Sequence, residues 1–146
     1  MSIADVTPKS ETSTLTFELD LAHPPAKVWR ALTEPDLLAR WLLPTIGLDL
    51  TPGAAFTLHT DPQPGWDGTV DCRVLAVAPL RGLSYAWVVG DLDTIVSFSL
   101  AESARGTRLT IVQSGFREDQ KRNFGGARYG WRMFTEKLVA VLAAAA

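Results

Sequence analysis

The chain has one cysteine and two histidines. Cys72 has no second thiol to pair with, which excludes an internal disulfide and fits a reducing compartment; within a strand it reads as a small buried apolar side chain. His23 stands before a proline pair and His59 falls on a predicted solvent face. With no cluster of histidines and cysteines, no metal site is expected. A phosphate-cradling glycine loop, a dinucleotide fingerprint and a nucleophile elbow are also missing, so no cofactor and no catalytic residue is assigned. The longest apolar run, 138–146, falls far short of the roughly 20 residues of a membrane-spanning helix, so no span is expected. The start of the chain has neither the basic cluster nor the apolar stretch of a secretory signal. Residues 1–13 are therefore expected to form a flexible leader on a cytoplasmic protein.

A net charge of −2 gives no general attraction to nucleic acid, and none is expected as a partner. The charge is uneven, however. Residues 117–137 carry six bases and three acids, a local balance of +3 that leaves −5 for the rest. Hydrophobic residues at 47% and charged residues at 21% are ordinary globular usage, and 146 residues suit a single domain, placed at 14–146.

The strongest pattern lies near the end of the chain. Ala127, Trp131, Phe134, Leu138 and Val141 recur at steps of four, three, four and three, which puts them on one face of a helix. That stripe needs a partner surface. Gly125, Gly126 and Gly130 make this helix weakest near Gly125, and small residues there suit close approach to a partner.

Further upstream, Thr14–Leu21 alternates strictly between apolar and polar residues, the pattern of a half-buried strand. Pro24 and Pro25 suit the first turn of a short helix carrying Val28, Trp29 and Leu32. Thr33 reads as the cap of a second one carrying Leu37, Leu38 and Trp41. Turn residues then separate candidate strands at 46–50, 54–60, 69–77, 83–88, 94–101 and 107–114, spaced as an antiparallel meander. Alternate residues place Phe56, Leu58, Val70, Cys72, Val74, Leu83, Tyr85, Trp87, Val96, Phe98, Leu100, Leu109, Ile111 and Gln113 on one face, the face that must meet the long helix. The fold class is α+β.

Several stretches, in this order, resemble the helix-grip fold of the START-like (SRPBCC) superfamily, in which a curved antiparallel sheet wraps around a long C-terminal helix. They are Pro25–Thr33, 37–41, 68–70, 83–87, 106–110, 114–116 and the Gly130-Trp131 pair. Within the superfamily, the chain is similar to activators of heat-shock-protein-90 ATPase and their homologues over about residues 14–143. The superfamily resemblance implies an apolar ligand held between helix and sheet. The family resemblance implies a protein-interaction module with a chaperone partner. A cyclase-like or hydrolase-like enzyme has the least support, because the inner face offers only Tyr85, Tyr129 and Cys72 as titratable groups.

Apolar bodies with a few polar tips on that face suit a cavity that binds an apolar or aromatic small molecule and orients it by hydrogen bonds. The candidate wall is Trp41, Tyr85, Trp87, Phe98, Gln113, Phe116, Tyr129 and Met133. Tyr129 is expected to point its hydroxyl toward the cavity while Trp131 packs on the sheet as core, which needs the helix to deviate near Gly130 because ideal geometry sets the two about 200 degrees apart.

Overall fold

Alternation along Thr14–Leu21 buries Leu15, Phe17, Leu19 and Leu21 on one side and leaves Thr14, Thr16, Glu18 and Asp20 half-buried on the other. The computed structural model describes residues 3–144, and this strand, β2, follows a two-residue edge strand, β1 (Ala4–Asp5). Two helices come next, α1 (Pro25–Thr33) and α2 (Pro35–Trp41), and then β3 (Thr45–Ile46), β4 (Ala55–His59), β5 (Thr69–Ala78), β6 (Gly82–Val89), β7 (Leu92–Glu102) and β8 (Thr107–Ser114). A single 3-10 turn, Glu118–Gln120, leads into α3 (Lys121–Ala144). The eight strands form one antiparallel sheet in the order β1-β2-β8-β7-β6-β5-β4-β3. Pairing of β2 with β8 along their whole lengths joins the first long strand of the chain to the last. No helix among the described residues is long and apolar enough to cross a membrane.

Both short helices open on proline, whose missing N–H is no loss in a first turn. The residues before them, Pro24 and Glu34, are extended, as a residue preceding proline prefers. Thr33 therefore does not cap α2 as expected: Glu34 holds that position without a side-chain bond, and the Thr33 hydroxyl donates back to the Trp29 carbonyl at 2.8 Å. Trp41 Nε1 donates to the Ala31 carbonyl at 2.8 Å, which ties the two helices together.

The expected strand at 46–50 is cut to Thr45–Ile46 because Gly47 turns the backbone to φ +73°. Leu48 and Leu50 still pack against the core, so their alternation reported burial without a ladder. Within the expected leader, Ala4 and Asp5 pair with Glu18 and Phe17 of β2. Two residues are too few to show any period. Asp5 also lies 2.8 Å from Arg128 Nε of α3, an ion pair in which the N–H is not aimed along the contact. Burial works to raise the Asp5 carboxyl, but hydrogen bonds from Thr7 and the Arg128 guanidinium outweigh it and hold the group below its ordinary value. The first two residues of the leader and the last two alanines of the helical stretch, 145–146, lie outside the described residues.

On α3 the buried face is Trp131, Thr135, Leu138, Val141 and Leu142, with Ala127 and Phe134 half-buried beside it. Thr135 was invisible to an apolar pattern. It is buried because its hydroxyl is satisfied by the Trp131 carbonyl at 2.6 Å. The glycines do not bring the helix close to the sheet as expected: a Cβ at Gly125 or Gly126 would meet nothing within 4 Å. Gly125→Ala is thus expected to raise the unfolding free energy by about 1 kcal/mol through helix propensity alone, read as a higher urea midpoint with an unchanged m-value.

Candidate functional site

Gly126 and Gly130 contribute no side chains to the space between α3 and the sheet near the start of the helix. A cleft of about 390 Å³ opens there. Its walls are Trp87 and Val89 of β6, Leu92 of β7, Trp66 of the β4–β5 loop, and Ala127, Trp131 and Phe134 of α3. Gln113 of β8 forms part of the lining, and Arg122 and Asn123 come from the first turn of α3. The aromatic rings pack on one another, with Trp131 centroids 6.0 Å from Trp87 and 5.7 Å from Phe134. Trp66 is held by a 2.8 Å bond from its indole to the Thr69 carbonyl.

Three hydrogen bonds run beneath the cleft. Trp131 Nε1 donates to Gln113 Oε1 at 2.8 Å, Gln113 Nε2 donates to Thr94 Oγ1 at 3.0 Å, and Thr94 Oγ1 donates to the Trp87 carbonyl at 2.8 Å. Their directions are forced. Indole only donates, so the Gln113 oxygen must face Trp131; the Thr94 hydroxyl gives its hydrogen to a carbonyl, so it must accept from the Gln113 amide. A side-chain amide has two N–H donors and two oxygen lone pairs, and this network uses one of each. Gln113, only 2% exposed, therefore has one donor and one acceptor site beyond these bonds, and it is part of the cleft lining.

Of the eight residues expected in the wall, Trp87 and Gln113 line this cleft. Trp41, Tyr85, Phe98 and Phe116 are buried in the core and do not line it: Trp41 meets Phe98 edge-on at 6.3 Å, Tyr85 meets Phe56 at 5.2 Å, and Phe116 meets Phe124 at 5.1 Å. Tyr129 and Met133 are corrections of another kind. They are 67% and 41% exposed, because α3 continues through Gly130 without a break and carries them to its outer side. Burial pushes the Tyr85 phenol up and the Cys72 thiol up to about 12, so both stay neutral at neutral pH.

Trp66, Leu92, Trp131, Phe134, Arg122 and Asn123 were not singled out for the site. Trp66 sits in a stretch dominated by turn residues. The signal that marks the cleft is the spacing of Arg122, Gly126, Gly130 and Phe134: at intervals of four they share a helix face beside the apolar stripe, and its middle has no Cβ atoms.

A larger hollow of about 570 Å³ lies on the opposite side of the sheet, lined by Ile46, Thr57, Asp71, Arg73, Ala86 and Val88 among others. Its lining is mostly the solvent face of β4–β6, and among the described residues no buried polar network converges on it. The helix–sheet cleft, with its oriented amide and aromatic walls, is the better candidate despite its smaller volume.

Residues 22–143 match the family described as Activator of Hsp90 ATPase homolog 1-like protein. Among solved structures, a protein of Mesorhizobium loti is 41% identical with a TM-score of 0.84, the match covering 91% of this chain and 98% of that one. A protein of Chromobacterium violaceum is 26% identical with a TM-score of 0.74, over 90% of this chain and 98% of that one. CalU16 of Micromonospora echinospora is 25% identical with a TM-score of 0.73, over 98% of this chain and 85% of that one. Comparison with curated proteins gives no match.

Proposed function

The chain belongs to the family of Activator of Hsp90 ATPase homolog 1-like proteins, and on that basis we propose that it is a binding module whose helix–sheet cleft takes a small apolar or aromatic molecule. The observation that carries this reading is an aromatic cleft of about 390 Å³ with an unspent amide donor at Gln113. Its size falls in the range of ligand pockets, and a hydrogen-bonded amide among aromatic walls suits recognition of one polar group on an otherwise apolar body. Among the described residues, the lining includes no Asp, Glu, His, Cys or Tyr, which supports binding rather than proton transfer.

A ligand that binds only the folded state raises its melting temperature, so a thermal-shift screen of lipids and aromatic compounds tests the reading. Gly126→Leu is expected to abolish the shift given by any hit. The backbone accepts this side chain, since a Cβ at Gly126 meets nothing within 4 Å, but the leucine body occupies the mouth. A wild-type protein that responds to no compound would remove the reading, and a hit that survives Gly126→Leu would place binding elsewhere.

A second reading, contact with a chaperone or another protein, draws on the outer side of α3. There Tyr129 and Met133 are exposed, and Arg132 and Lys137 make no ion pair among the described residues. Retention of a chaperone in a pull-down that weakens with salt supports it, and no retention at low salt counts against it.

A further inference from the structure

We propose that the molecule held in the cleft is an aryl or alkyl carboxylate whose apolar body lies among Trp66, Trp87, Trp131 and Phe134 and whose anionic end is bound by Arg122, an inference that rests on the binding reading above. Arg117 and Arg128, the other arginines in the first turns around this helix start, are engaged by Asp91 and Asp119 and by Asp5 respectively. Arg122 lines the cleft and forms no ion pair among the described residues. Asn123 stands next to it in the lining and offers amide donors.

A guanidinium presents a planar fork of N–H groups that matches the two oxygens of a carboxylate, and such charge-assisted bonds are roughly twice as strong as neutral ones. Arg122 is exposed but belongs to a lining whose other side chains are mostly apolar, so it sets a positive charge at the edge of an apolar surface. Of the acids closest in sequence, Glu118 makes no ion pair among the described residues and offsets part of the charge. Asp119 is held by Arg117 at 3.1 Å, and Lys121, which makes no ion pair among the described residues, adds positive charge beside it. The lining thus has one charged side chain, a cation near the helix start, and apolar surface over most of the remainder. That polarity fits an amphipathic anion entering body first.

The test is tryptophan fluorescence titration with two probes of nearly one shape, naphthylacetate and its neutral counterpart naphthylacetamide, with dodecanoate and dodecanamide as an alkyl pair. Wild-type protein is expected to bind the acid of a pair about tenfold more tightly than the amide. Arg122→Gln is expected to bring that ratio to about one, and Lys121→Gln to leave it within about twofold of wild type, since a screened neighbouring charge contributes little. Equal affinity for acid and amide in the wild type, or an acid preference that survives Arg122→Gln, overturns the inference while leaving the binding reading in place. If no member of either pair binds, the inference falls, and the thermal-shift screen decides the binding reading separately.

Discussion

Trp131→Ala is expected to lower the unfolding free energy by about 3–5 kcal/mol, enough to leave a typical domain of this size at the edge of folding. Trp131 is 2% exposed and touches Trp87, Phe98 and Phe134, so removing its ring leaves a hole that rigid neighbours on β6, β7 and α3 cannot close. The change also takes away the donor that holds Gln113 Oε1, and an unpaired buried amide oxygen costs roughly a further 1–3 kcal/mol. Water entering from the cleft offsets part of that second cost. Trp131→Phe separates the two contributions, because it keeps most of the apolar body and loses only the indole N–H. Urea denaturation of wild type and both variants reads the difference, and the phenylalanine variant is expected to lose well under half of what the alanine variant loses.

A Gly106→Ala protein is expected to be destabilised by about 2–4 kcal/mol, far more than a methyl group on a surface turn ordinarily costs. Gly106 lies in the turn between β7 and β8 at φ +154°, where an added Cβ would stand 2.6 Å from the His23 carbonyl oxygen, 2.7 Å from the His23 nitrogen and 2.7 Å from the Leu21 carbonyl oxygen. All three are backbone atoms. They cannot retreat without disturbing the Leu21–Thr107 register or the 2.7 Å bond from the Thr107 hydroxyl to the His23 carbonyl. Gly90 is the control, since its φ is +59° but nothing lies within 4 Å of its absent Cβ. Gly90→Ala meets only the conformational cost of a left-handed residue, about 1 kcal/mol. Urea midpoints in the order wild type, Gly90→Ala, Gly106→Ala from highest to lowest confirm the argument. Equal losses at the two glycines would contradict it.

The sheet was legible wherever one of its faces is buried, because alternation then has to follow the pleat. All fourteen residues assigned to the inner face lie on it, and thirteen are buried, Trp87 being half-buried where it borders the cleft. Legibility failed where pairing is too short to carry a period, as at Ala4–Asp5, and where apolar residues reach the core without joining a ladder, as Leu48 and Leu50 do.

The candidate site was harder to see for a different reason. An inner-face aromatic can fill space or border it, and residue type does not distinguish the two. Phe98 and Tyr85 fill the middle of the sheet, whereas Trp87, two residues farther along β6 than Tyr85, reaches the level at which α3 has glycines in place of side chains. The cleft is set by where side chains are missing on the opposing helix, which a search for apolar and aromatic residues passes over. Tyr129 shows the converse. Its hydroxyl was expected inside on the strength of a break near Gly130, but α3 runs unbroken through that glycine and ideal helical geometry carries the residue into solvent.

The most direct measurement of whether the cleft is the binding site is a heteronuclear NMR titration of the protein with a compound that raises its melting temperature. The reporters are the indole N–H groups of Trp131, Trp87 and Trp66 and the side-chain amide of Gln113. A ligand in the cleft predicts that these resonances, with the backbone amides of Gly126, Ala127 and Gly130, shift most and saturate together, while Thr57, Asp71 and Arg73 across the sheet stay in place. Shifts gathered at Thr57, Arg73 and Ala86, with Gln113 and Trp131 unmoved, would contradict the account and assign binding to the outer face of the sheet.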